Sequence, residues 1–380
     1  MNKIIGIIAE YNPFHLGHIY QINEIKKLYP KSTIIAIISP SFTQRGDISI
    51  INKYNKTTIC LENNIDLVVE LPYPYATQSS DIFAKGSIEI LNKLNINTLV
   101  FGSESNDLET LKKLANISNN DTNYHLKVKE YLNKGYNYPT AMSKALFDIT
   151  NINISTPNDL LALSYLKVIN KYNYPIDPIS IKRTNDYHAT YLDNSKIVNA
   201  TLIRKLYNNN QDISSYIASN SLNKLIKIDY SSLYSLLKLQ IINNINNLNT
   251  YQTVEEGIEN RIKKYIYKSN TWEELVNNIK TKRYTYNRIN RMLIHILNSY
   301  KKSDNDNINI DYIRILGFNN KGRKHLNNIK KKLDIKLISN YKPNISKLLD
   351  IEFKITCNYA IITKDNELIN KEFNSYPIRK

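Results

Sequence analysis

The hydrophobic pattern opens with an unbroken apolar run, Ile4 to Ile8, which predicts a strand buried on both faces. It breaks at Asn12-Pro13, a turn signal, and an amphipathic helix is expected from about His18 to Leu28. The alternation then repeats. Thr33–Ile38 reads as a strand, Ser39 to Asp47 as a polar loop and about Asn52 to Asn63 as a helix. Asp66–Leu71 is the third strand, followed by the loop Pro72 to Ser80 and a helix near Asp81–Leu94. Thr98–Phe101 is the fourth, ending at Gly102-Ser103-Glu104. Strands alternating with helices predict an α/β fold, a Rossmann-like doubly wound parallel sheet with helices on both faces. Ligands of such sheets bind at the carboxyl ends of the strands, where these polar loops fall.

Later the pattern turns helical. A helical insertion is expected from about Asp107 to Phe147, and Pro157-Asn158-Asp159 starts a helix running to about Tyr172. Ile179–Lys182 reads as a fifth strand and Ser195–Tyr207 as a helix. Beyond about Asn210 come helices rich in Leu, Ile, Lys and Asn. The Asn-rich piece Ile241–Asn249 keeps a helical apolar spacing, and the run Ile355–Ile362 reads as a strand. A chain of 380 residues exceeds the usual size of one core. Two domains are therefore expected, an α/β domain over 1–210 and a mostly α-helical basic domain over 211–380.

Composition adds a partner. The chain carries 51 Lys and Arg against 34 Asp and Glu, a formal charge of +17. Residues 1–110 hold 9 of these cations and 11 of the acids; residues 111–380 hold 42 and 23. That asymmetry points to a polyanion, nucleic acid foremost, for the later part. A coding bias towards Asn, Ile, Lys and Tyr would also raise Lys, but it acts equally on the first 110 residues, which are not basic. Arg261-Ile262-Lys263-Lys264, Lys280-Thr281-Lys282-Arg283 and Lys330-Lys331-Lys332 are candidate phosphate contacts. No charge-free apolar stretch reaches membrane-spanning length, Met1 leads straight into the first strand, and the two cysteines, Cys60 and Cys357, are far apart. A cytoplasmic protein without membrane association, disulfide or bound transition metal is expected. No pattern specifies an oligomeric state.

The chemistry concentrates at His15-Leu16-Gly17-His18. These residues fall in the loop after the first strand and the first turn of the following helix, where free N–H groups and the helix dipole favour an anion. Two imidazoles there can donate to phosphate oxygens, and Gly17 lets a phosphate chain approach the backbone. The His-x-Gly-His pattern in this strand-to-helix setting resembles the nucleotidyltransferase superfamily, which includes pantetheine-phosphate and nicotinamide-mononucleotide adenylyltransferases and class I aminoacyl-tRNA synthetases.

Further loops narrow the resemblance. Phe42-Thr43-Gln44-Arg45-Gly46 resembles a Phe-x-Gln-Arg-Gly loop, and Asp66 to Pro72 with Tyr75 to Ser79 resembles a third-strand motif. Phe101-Gly102-Ser103-Glu104, Pro157-Asn158-Asp159 and Ile181-Lys182-Arg183 continue the series in order. Together they resemble the bacterial tRNA(Met) cytidine acetate ligase family, with specific motifs over about 1–210 and only helical, basic character beyond. The resemblance implies activation of acetate by ATP to acetyl-adenylate, with Mg2+ accompanying the ATP. Transfer of the acetyl group to N4 of the wobble cytidine of elongator tRNA(Met) follows.

It also implies that His15 and His18 are catalytic. ATP would lie along Ile7, Ile8, Ala9, Glu10, Tyr11, Asn12, Pro13, Phe14, His15, Leu16, Gly17, His18, Ile19 and Tyr20, with Gly102, Asn158 and Arg183 completing the pocket. Asn158 can read an adenine edge or cap its own helix, and Arg183 offers a fork for phosphate. Asn199 to Arg204 resembles the Ser-Ser-Thr-x-Ile-Arg element of adenylyltransferases, with Thr201 and Arg204 kept as donors and Asn and Ala in place of the serines. Gln44 and Arg45 are candidate contacts for acetate or a tRNA phosphate. Leu16 stands where the family has Asn, and Pro40-Ser41 where it has Gly-Asn. Two other readings compete: a small-molecule adenylyltransferase of cofactor synthesis, and a non-catalytic RNA-binding protein that uses nucleotide as a structural ligand.

Overall fold

The structure is a computed structural model that describes residues 3–183 and 198–380. Its centre is a sheet of eight strands: β1 (Ile4–Ala9), β2 (Thr33–Ile38), β3 (Leu67–Glu70), β4 (Thr98–Ser103), β5 (Asp177–Lys182), β6 (Tyr312–Phe318), β7 (Lys336–Ile338) and β8 (Ile378–Arg379). The order is β5-β4-β1-β2-β3-β6-β7, with β8 also on β6. The first five strands pair in parallel, and β6 runs antiparallel to β3.

Strand β2 shows why this sheet is double-sided. Ile35 and Ile37 face a core built with Ile88, Leu91 and Leu163 from the Ser80–Lys93 and Pro157–Tyr172 helices. Ile34, Ala36 and Ile38 face another, with Ile22, Ile25 and Ile59 from the Leu16–Leu28 and Lys53–Glu62 helices. A strand clothed on both faces has no reason to alternate polar with apolar residues. The chain adds β2 and β3 on one side of β1, then crosses to add β4 and β5 on the other. The order therefore reverses between β1 and β4.

The expected insertion is three helices, Leu108–Asn120, Thr122–Asn133 and Tyr138–Thr150. The helix expected over 195–207 appears as Ala200–Asn208; residues 195–197 lie outside the described residues. The Tyr230–Asn243, Ile258–Tyr265, Trp272–Ile279 and Tyr286–Leu297 helices then pack around their own core of Leu237, Ile262, Leu275 and Met292.

After that the chain returns to the sheet. β6 pairs with β3, and β7 and β8 with β6, so residue 210 does not mark an edge of the sheet. The run Ile355–Ile362, expected as a strand, lies inside the Lys347–Thr363 helix. Its buried positions, Leu348, Leu349, Glu352, Ile355, Thr356, Tyr359 and Ala360, recur every three or four residues; the short apolar run concealed that period.

A buried charge network joins this returning segment to the first strands. Lys53 Nζ lies 2.6 Å from Glu70 Oε2 and 3.0 Å from Glu372 Oε1, and Arg314 donates to Glu372 Oε2 at 2.5 Å. Glu352 accepts from the backbone N–H of Tyr73. Burial alone would raise the Glu372 carboxyl, but Lys53 and Arg314 hold it at about 2. Glu352, buried beside Glu70, is pushed up to about 8. Removing one partner of such a set leaves an uncompensated buried charge, which costs about 3–5 kcal/mol. Among the described residues no helix is long and apolar enough to cross a membrane.

Candidate active site

At the reversal between β1 and β4 the carboxyl ends of the strands open into a cavity with two lobes, the place where doubly wound sheets bind ligands. One lobe, about 190 Å³, is walled by Ile8, Ala9, Glu10, Tyr11, Asn12, Gln44, Arg45, Asn158 and Arg204. The other, about 70 Å³, is walled by His15, Gly17, Tyr20 and Asn199. His18, Gly102 and Arg183 line both. The structure thus gathers most of the residues expected from sequence around one space. It does not bring Ile7, Pro13, Phe14, Leu16, Ile19 or Thr201 to the cavity wall; Ile7 and Phe14 are buried in the core against Ile22 and Ile25.

The two histidines are fixed by the backbone that carries them. His15 caps the Leu16–Leu28 helix, its Nδ1 accepting from Gly17 N at 3.0 Å, while its own N–H donates to His18 Nδ1 at 3.1 Å. An Nδ1 that accepts cannot carry the proton of a neutral ring, so both imidazoles hold theirs on Nε2. Burial, with Arg183 and Arg204 adding to it, lowers the His15 pKa to about 3. His18 is lowered by burial, by His15 and by Arg183. The rings stack with centroids 3.8 Å apart. The pair is thus two neutral N–H donors side by side. A distant segment clasps the loop: Leu16 N donates to Tyr216 O, and His15 bridges to Ile217.

Three arginines face this space. Among the described residues the buried Nε of Arg183 has no hydrogen-bond partner. Gly102 makes room for that side chain: a Cβ there would stand 3.2 Å from Arg183 Cγ. Arg204 is engaged, donating to Asn12 O at 2.8 Å and to Asp47 Oδ2 at 2.7 Å. It pins the Ala200–Asn208 helix to the histidine loop and to the 39–47 loop. Asn199 caps that helix by accepting from Leu202 N. Arg45 lies close enough to Glu10 to favour its carboxylate, as does the N–H of Gln44 at 2.6 Å, but burial dominates and raises the Glu10 pKa.

Asn158 lines the larger lobe and also makes contacts that neither expectation included. Glu104 accepts from its backbone N–H, from its side-chain amide and from Asp159 N. Asp159 in turn accepts from Ser103 Oγ and from the N–H groups of Glu104 and Ser105. This exchange of carboxylates clamps the end of β4 to the start of the Pro157–Tyr172 helix.

Sequence reasoning passed over Lys56, whose buried ammonium donates to Glu10 O at 2.8 Å and Ser39 O at 2.7 Å, tying the ends of β1 and β2 together. Burial lowers its pKa to about 7. The signal was present: Lys53 and Lys56 share the face of their helix with Thr57 and Cys60, all buried. Phe83, Leu161 and Tyr165, further members of the larger lobe, were not singled out, and Phe101 entered only as part of a loop motif.

Residues 2–374 match the HIGH Nucleotidyl Transferase family. A tRNA(Met) cytidine acetate ligase of Fusobacterium nucleatum is 39% identical over 346 residues, covering 87% of this chain and 85% of that protein. The enzyme of the same name from Bacillus subtilis is 35% identical over 406 residues, covering 99% and 97%. The crystal structure of Thermotoga maritima TmcAL bound with alpha-thio ATP superposes with a TM-score of 0.88 at 26% identity, covering all of both chains. The apo form of that protein gives 0.90 at 27% identity. Carrying the paired histidines at the sheet's reversal and matching these proteins along nearly their whole length, the chain belongs to the tRNA(Met) cytidine acetate ligase family of HIGH nucleotidyl transferases.

Proposed function

We propose that this protein activates acetate with ATP and transfers the acetyl group to N4 of the wobble cytidine of elongator tRNA(Met). The observation that carries the reading is the pair of neutral Nε2–H donors at one helix N-terminus, beside the buried guanidinium of Arg183. Formation of acetyl-adenylate is in-line attack of a carboxylate oxygen on the α-phosphorus of ATP, with loss of pyrophosphate. That step needs positioning and charge stabilisation, not a covalent nucleophile. His15 and His18 would donate to the phosphate oxygens as charge builds on them, and Arg183 would hold the chain beyond. Arg45, on the wall of the larger lobe, would hold the acetate carboxylate or a phosphate of the RNA. Mg2+ would come with the nucleotide, held by the triphosphate and water.

In the second step the cytidine amine attacks the acyl carbon, the bond to AMP breaks and the amine loses a proton. The test is incubation with labelled ATP and acetate, with and without tRNA. Acetate-dependent AMP release that rises with tRNA, together with N4-acetylcytidine in the recovered RNA, is the expected result. Transfer of AMP to a small phosphate ester would overturn it in favour of an adenylyltransferase, and no turnover would leave a binding protein.

A further inference from the structure

On the far side of the Asp47–Arg204 pair lies a groove of about 330 Å³ lined by Asp47, Tyr230, Trp272, Asn277, Tyr286 and Asn290. We propose that it receives one nucleobase of the RNA substrate, a neighbour of the cytidine, so that adjacent nucleotides are splayed into adjacent pockets. This rests on the RNA-modifying reading above.

Four observations converge. The first is position: Asp47 forms part of the groove wall while its ion-pair partner Arg204 lines the active-site cavity, so one ion pair separates the two spaces. The second is ring surface. Tyr230 and Tyr286 are 45% and 49% exposed, and Trp272 is held by its indole N–H donating to Asn290 Oδ1 at 3.0 Å. Aromatic faces of this kind stack on unpaired bases whatever their identity. The third is polarity. Glu273 and the carboxylate of Asp47, the latter already paired with Arg204, can accept from the amino groups of a base. The fourth is a cation beside the groove: Lys280 Nζ lies 5.1 Å from the Tyr286 ring centroid, placed for the backbone of a strand whose base is inside.

The groove is also built before any ligand arrives. Its floor joins the 39–47 loop to the Tyr286–Leu297 helix, where Arg291 donates to Gln44 O at 3.1 Å. Such preorganisation reduces the ordering that binding must impose.

The experiment uses the full chain and an anticodon stem-loop RNA carrying 2-aminopurine at either nucleotide flanking the cytidine. Binding to the unmodified protein should quench the probe at one of the two positions by stacking. Tyr286→Ala should abolish the quenching and weaken binding by about 5- to 150-fold, the range for removal of one base stack. Tyr286→Phe, which keeps the ring, should restore both. Tyr230→Ala provides a second cut at the same groove should Tyr286→Ala melt at a lower temperature. Binding without quenching at either position, or a Tyr286→Ala protein with quenching and affinity intact, overturns the groove and leaves the proposed reaction standing. Failure of the unmodified protein to bind or acetylate the stem-loop overturns both.

Discussion

The histidine loop and the 39–47 loop face each other across one cavity and share Arg204, yet their functional side chains are set over different ranges of the chain. In the first, strand, turn, cap and helix are consecutive, and the ring nitrogens of His15 and His18 bond only within that stretch, although Tyr216 and Arg204 also grip its backbone. The second begins as locally, with Gly46 N donating to Thr43 O. Its outer side, however, rests on Arg291, Asn290 and Arg204. Ring orientation set by a local motif is legible in the sequence. A wall built from distant residues depends on the whole chain folding.

The most damaging way to break this contrast is at the local loop. His18→Ala should slow adenylate formation by ~10²–10³-fold, as loss of an oxyanion donor does. ATP affinity should fall far less, because the donor acts on developing charge. Pre-steady-state kinetics and nucleotide titration separate the two, and equal losses would count against the assignment.

Next comes the distant loop. Gly46 has φ +84°, and a Cβ there would stand 2.4 Å from Arg291 N, which is backbone and cannot swing away. Gly46→Ala should destabilise the protein by about 1–3 kcal/mol, read by urea denaturation. A stability within experimental error of the parent would mean the loop does not need its helix.

Basic clusters show the same division. Arg261 donates to the carbonyls of Asn278 and Ile279, and Arg283 to that of Leu132, so both fasten helices together. Lys330, Lys331 and Lys332 are exposed and, among the described residues, without an ion-pair partner. Neutralising these three should lower the salt slope of tRNA binding by about one unit for each phosphate left without its lysine, with no change in melting temperature. An unchanged slope would place the RNA elsewhere.

The smallest effect is a flat line. With the His15 pKa at about 3 and that of His18 also lowered, neither ring should titrate between pH 5 and 8. Histidine NMR shifts would check this, and a transition of either ring near pH 6.5 would refute the neutral-donor geometry. The linkage has a definite sign. As pH falls from about 6.5 to 3 the unfolded chain binds protons that folded His15 refuses, so stability declines across that window.

β2 and β3 were legible because both of their faces are buried, and the strand expected at Thr33–Ile38 matches to the residue. β6 was not. Its Arg314 reads as a surface residue, and only Glu70 and Glu372, more than fifty positions away in either direction, make it a core one. Within the site, His15, His18, Gly102 and Arg183 were visible through a local motif and strand-end loops. Lys56 was hidden because lysine is assigned to solvent by default, whereas here two strand-end carbonyls receive it. Asn158 was visible, but its bond to Glu104 was not, since that partner belongs to another loop.

The pairing of β3 with β6 has a consequence for synthesis. When β3 leaves the ribosome its outer edge has no neighbour, and the strand that covers it lies about 240 residues later. At typical elongation rates that interval is roughly 10–50 s. Through it the nascent chain carries an open, apolar strand edge, the kind of surface on which chains pair with one another. The carboxylate of Glu70 and the ammonium of Lys53 wait beside it for Arg314 and Glu372. Charges that are buried in the finished protein would be hydrated while that edge waits, so the same network would act as a solubilising guard during translation and as a lock afterwards.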